Sequence, residues 1–238
     1  MKKYFYQITL ICLLAVAQQL NAQDAQFSQF FHTPHQVNPA LIGLYDGDFR
    51  AGITYREQWS TVLSNAPFRT IMASFDVRQP IGKGDYLGIG GAVLRDEVHV
   101  SNFTQDRGHL GVSYRKQLSG SRYKAGGQYL IAGGQVGYGQ NAFDAPNVWF
   151  SDQFDASTTT IGFPTGEDFT NQRTPMFIDV NAGVMWYNVF DDHSSIYIGT
   201  AAHHLNTPNI SFIEGGNQSL DRRYVAQIGG EFPLSDAL

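Results

Sequence analysis

The stretch MFIDVNAGVMW at positions 176–186 reads as a strand with two unlike faces. Met176, Ile178, Val180, Ala182, Val184 and Trp186 fall on one side of an extended chain, and Asp179, Asn181 and Gly183 form much of the other. Such a dyad needs an apolar phase on one side and a polar phase on the other. At roughly 10 residues it also has the span of a tilted strand crossing a bilayer. The pattern recurs at 48–59, where Phe49, Ala51, Ile53 and Tyr55 alternate with Arg50, Gly52, Thr54 and Arg56. It appears again as Ile71, Ala73, Phe75 and Val77 against Thr70, Ser74, Asp76 and Arg78, with Pro67 and Pro80 bounding the run. Further strands are expected at 86–94, 109–117, 123–136, 195–203 and 223–232, giving about eight in all.

Composition narrows the phase that these strands meet. The chain holds 25 Gly, 12 Tyr and 17 Phe but only 16% charged residues. Aromatics gather near the strand ends (Tyr55, Trp59, Tyr86, Tyr114, Trp186, Tyr187, Tyr224, Phe232), as amphipathic rings do at membrane interfaces. A soluble aromatic-rich sandwich would show the same alternation. Glycines inside strands, among them Gly88, Gly90, Gly91, Gly133 and Gly134, suit close backbone approach, bending and barrel closure, and favour a barrel. No apolar run after residue 22 is long enough for a membrane helix.

The N-terminus points the same way. Lys2 and Lys3 precede an apolar core at 8–17, and Ala22 closes a cleavage site, so residues 1–22 read as a secretory signal and the mature chain starts at Gln23. Cys12, the sole cysteine, leaves with the signal, which excludes disulfides and thiolate sites from the mature protein. Lys+Arg falls from 16 to 14 against 21 Asp+Glu, a balance of −7 that makes nucleic acid an unsuitable partner. Residues 23–47 then form an N-terminal periplasmic or plug segment and 48–238 the barrel. The polar run at 139–174 reads as one long loop on the outer side, and 206–222 as a second irregular stretch.

Five short motifs, QFSQFF (26–31), NPALIG (38–43), YREQW (55–59), PNISF (208–212) and RRY (222–224), together resemble the PorP/SprF family. The first three, in that order, are the more specific. The resemblance covers nearly all the mature chain. It implies an all-β, antiparallel transmembrane outer-membrane β-barrel of the type IX secretion and gliding machinery of Bacteroidetes-type bacteria, assisting export or surface attachment of large cell-surface proteins. Its partners would be outer-membrane lipids, an exported client such as a surface adhesin, and periplasmic secretion-machinery proteins. The family implies no enzyme and no cofactor. Its members are usually longer, and this chain stops at Leu238 without the terminal aromatic strand of a complete barrel, so either it is a fragment or the barrel closes differently.

The residues expected to make contacts are Phe27, Phe30, Phe31, Asn38, Pro39, Arg56 and Trp59. The three rings precede the first strand, where a barrel needs no aromatic preface merely to span a membrane. Asn38-Pro39 is a turn or a docking element. Trp59 reads as an interface anchor, and Arg56 as the ion-pair partner of Asp76 or Asp96. Inward Arg50, Arg56, Asp76, Arg78, Arg115, Lys124 and Asp179 describe a polar lumen knitted by ion pairs. A continuous apolar lumen, as a fatty-acid transporter would need, is not visible. His203 and His204, adjacent in a strand, would face opposite ways and hold no common metal. Ser113 with His109 could be imagined as a hydrolase pair, but no nucleophile or phosphate-loop motif accompanies it, and Gly162 to Gly166 reads as loop. A passive porin remains the competing functional class.

Overall fold

The computed structural model describes residues 24–63, 67–82, 84–99, 102–120, 126–143, 150–162, 164, 166, 172–191 and 193–233. The expected signal peptide, Lys124 and the last five residues lie outside them. Eight long strands follow one another: β1 (Phe49–Gln58), β2 (Phe68–Ile81), β3 (Asp85–Val98), β4 (Phe103–Gly120) and β5 (Gly127–Ala142) come first. The loop expected at 139–174 starts later, because β5 runs on through Ala142, and a small hairpin, β6 (Phe154–Asp155) with β7 (Thr160–Ile161), interrupts it before β8 (Phe177–Asp191), β9 (Ser194–His203) and β10 (Arg223–Glu231). The long strands form one antiparallel meander, β1-β2-β3-β4-β5-β8-β9-β10, curled as a half-barrel. Among the described residues β1 pairs with β2 only and β10 with β9 only, which leaves two free edges.

The expected dyads set the two faces. Every long strand turns large apolar side chains outward: Ile53 is 78% exposed, Leu110 75% and Ile228 74%, with Ile71, Val93, Val136, Ile178 and Ile198 also exposed. Inward, buried polar residues (Thr70, Asp76, Ser113, Gln135, Asn141, Asp179 and Asn181) stand among a smaller apolar set that includes Met72, Leu94, Ile131 and Met185. So many buried polar groups, with the large apolar side chains outside, depart from the order of a water-soluble sandwich, whose core is apolar. A contiguous outer face of this kind is stable only against another apolar phase, and lipid supplies it. Among the described residues no helix is long and apolar enough to cross a membrane.

The strands run longer than their apolar dyads. β2 continues past Pro80, which sits opposite Tyr86 of β3. Proline is tolerated there because β1 reaches only as far as Val77, so no ladder donor is needed on that side. β4 starts at Phe103 rather than near His109, through the polar run Thr104 to Arg107. The connections sort by end. One end has the connections 82–84, 121–126 and 192–193, and the other has the connections 59–67, 99–102, 143–176 and 204–222.

Candidate functional site

Residues 24–48 lie along the concave face of the sheet. Their local shape follows from two prolines. Pro34 opens a single helical turn (Pro34–Val37) and Pro39 a 3-10 turn (Pro39–Leu41), both at positions where the missing N–H costs nothing. Between them Asn38 caps the second turn, its side-chain oxygen accepting from Ala40 N at 2.9 Å while its amide donates to Thr200 O at 3.3 Å. A path so irregular leaves its carbonyls without ladder partners, and buried carbonyls must find donors. Inward side chains of the barrel provide them. Arg50 donates to Leu41 O (3.2 Å), Ser113 to Ile42 O (2.5 Å), Gln135 to His35 O (3.0 Å), His203 to Val37 O (3.3 Å) and Arg223 to Gln36 O (2.9 Å). Arg56 and Arg78 serve Gln26 O and Tyr45 O. Asp76 of β2 accepts from Gly43 N at 2.7 Å. With Gly88 of β3 and Gly183 of β8 packed beneath, the segment touches all eight long strands.

The bed for this segment is a row of small residues brought into register. Gly88, Ser113, Gly133, Gly183 and Ala201 stand opposite one another across five consecutive neighbours of the sheet. A Cβ added at Gly133 would collide with the Pro39 carbonyl, and one at Gly183 with the Asn38 amide. Gly43, at φ +70, approaches Gly88 so closely that its own Cβ would sit 2.7 Å from the Gly88 Cα. Ala40 and Ile42 are thereby fully buried, Ala40 against Ile131 and Met185.

Two ionic clusters anchor the segment. Asp76, fully buried, receives Arg50 through both carboxylate oxygens (2.9 and 2.6 Å) and lies 3.5 Å from the equally buried His35. At the long-loop end, His204 donates from Nδ1 to Asp179 and from Nε2 to Asp24, each at 2.9 Å, and Arg223 stands 3.2 Å from Asp24. Two carboxylate acceptors require both ring nitrogens to carry protons. Burial opposes the charge on His204, but the two carboxylates overcome it and raise its pKa to about 9. For Asp24, burial pushes upward, yet the His204 hydrogen bond and the Arg223 charge hold it at about 2.

The seven expected contact residues do not form one surface. Phe27 is buried at 6% with Met72, Ala92 and Leu94, while Phe30 and Phe31 are 61% and 63% exposed. Asn38 and Pro39 are buried in the trough. Arg56 reaches Gln26 O, Thr70 Oγ1 (2.9 Å) and Asp96 (3.9 Å) and lies over the Phe27 ring; Asp76 is occupied by Arg50 instead. Trp59 stands exposed beyond β1, apart from the segment. His203 and His204 depart from expectation, since both are buried on the same side. His204 lies past the end of β9 with φ +57, so the strand alternation no longer applies. Among the described residues no group of His, Asp and Glu has metal-binding geometry. Ser113 uses its hydroxyl on Ile42 O, and it has no bond to His109.

Arg78 and Arg115 were expected inward, but Tyr86 and Tyr187 were expected at a membrane interface; at the short-turn end they instead face inward in a belt with the arginines. Tyr86 faces Arg115 across β3 and β4, and Tyr129, Tyr187 and Tyr197 stand in register on β5, β8 and β9. The Arg115 guanidinium lies 4.1 Å from the Tyr86 ring centre and 5.1 Å from that of Tyr129, and Arg78 stacks on Tyr45 and Tyr86. The signal was an inward parity shared by aromatic and cationic positions, hidden because the two residue types were read separately.

An antiparallel sheet that is apolar outside and polar inside, wrapped on its own N-terminal segment, defines a transmembrane β-barrel of the outer-membrane type. The family model described as "Type IX secretion system membrane protein PorP/SprF" matches residues 19–238, and the chain belongs to that family. Neither the curated proteins nor the solved structures gave a match. Three of the family-like motifs meet in space around the segment: QFSQFF touches YREQW through Arg56, and RRY reaches the segment through Arg223.

Proposed function

We propose that this protein is a non-enzymatic accessory barrel of the outer membrane that assists export or surface attachment of large proteins by the type IX system. The observation that carries the reading is the occupied interior. A segment held along the concave face by hydrogen bonds or close packing to all eight long strands occupies the path a solute would take, which favours a scaffold over a passive porin. In outer-membrane barrels short turns face the periplasm and long loops the outside. On that rule residues 24–48 run through the barrel from the outer end, where Asp24 is held, to the periplasmic end at β1. Phe30 and Phe31, exposed beside the buried Phe27, are then the docking rings for a client or a machinery protein.

Affinity purification of the full chain from native outer membranes tests the role. Exported surface proteins or secretion-machinery components should accompany it in stoichiometric amount. Recovery of the barrel with lipid alone would contradict an accessory role.

A further inference from the structure

We propose that the cavity beside the segment is a second binding site and takes an extended peptide bearing carboxylates. The cavity has a volume of about 1030 Å3 and lies beside residues 25–46, with walls from β1, β2, β4, β5 and β8 to β10. Its charge is lopsided. Arg50, Arg78, Arg115 and Arg223 line it against a single acid, Asp46, in a chain whose overall balance is acidic. Arg50 and Arg223 are committed to Asp76 and Asp24. Among the described residues Arg115 makes no ion pair; Asp46 acts on it only as a nearby charge, and its buried Nε has no hydrogen-bond acceptor. A cation held between two tyrosine faces with no carboxylate in direct contact is an arrangement that a ligand carboxylate completes, accepting from the guanidinium in a charge-assisted pair.

The remaining walls indicate what carries that carboxylate. Tyr129, Tyr187 and Tyr197 form a row with ring centres 6.5 and 6.4 Å apart. Alternate side chains of an extended peptide repeat at about 6.6 Å, so successive residues on one face can each lie over a ring. A lone inorganic anion would leave most of the cavity unfilled. A lipid headgroup would have to leave the apolar outer surface for the inner face. Phe30 and Phe31 also line the cavity, away from the Arg115 position that the carboxylate would take, and a binding assay on the purified barrel needs no exported client. Its failure therefore leaves the accessory role untouched.

The test is fluorescence anisotropy with the full chain in lipid nanodiscs and a labelled short peptide carrying Glu at alternate positions. The Glu peptide should bind, its Gln counterpart should bind at least tenfold more weakly, and added salt should weaken the Glu peptide. Arg115→Gln should reduce binding about tenfold, and Arg78→Gln serves in its place if Arg115→Gln does not fold. Equal binding of the Glu and Gln peptides, full displacement by inorganic phosphate at equimolar concentration, or unchanged binding in a folded arginine variant would overturn the proposal.

Discussion

Gly133 and Gly134 are neighbours in β5 with opposite surroundings. An added methyl at Gly133 would enter the Pro39 carbonyl, whereas at Gly134 the nearest atom would be Asn181 O at 3.8 Å, an ordinary contact. Gly133→Ala should therefore displace the segment and lower the barrel's thermal midpoint, while Gly134→Ala should leave it within a degree or two. Heat-modified gel migration reads both; equal midpoints would show that the trough is not tightly occupied. The His204 cluster makes a second test. Its pKa lies above the usual 6.5, so the stabilisation is complete below pH 6.5 and lost as the pH rises through about 9. Asp24 contributes above its usual 3.8 and loses its effect as the pH falls through about 2. The thermal midpoint should fall between pH 6.5 and 9.5 in the native chain, and this slope should flatten in His204→Gln. An identical slope in the variant would assign the alkaline loss elsewhere.

The strands were legible because alternation is a local property: the face that Ile178 and Val184 share follows from spacing alone. Their ends were not, since stretches such as Thr104 to Arg107 are polar on both faces and are ordered by pairing with β3 and β5. The N-terminal segment was recognisable as unusual, and its aromatic and Asn-Pro residues were expected to need partners; Phe27, Asn38 and Pro39 are buried, whereas Phe30 and Phe31 are exposed. A plug was one of its two expected places, but its path along the concave face was not readable, because the trough exists only once Gly88, Ser113, Gly133 and Gly183 are brought into register from four strands. The same limit hid the division among the phenylalanines. Phe27→Ala removes a buried ring and should cost about 3–5 kcal/mol, weakening assembly. Phe30→Ala with Phe31→Ala should leave a barrel of native heat resistance that fails to display its client. Normal surface display by the folded double variant, measured by antibody labelling of intact cells, would remove the docking role.

Taken whole, the molecule is a lipid-facing sheet whose concave face is organised by residues 24–48. The apolar outer face secures insertion, and the polar inner face satisfies an irregular chain that could not otherwise be buried. On the proposed reading, the segment held along the concave face opposes bulk solute flow. Single-channel recording in a planar bilayer examines this directly. The full chain should carry no steady ion current, and a folded variant lacking residues 24–47 should open a stable conductance. A steady porin-like current from the full chain, unchanged by the deletion, would contradict a barrel closed by its own N-terminal segment.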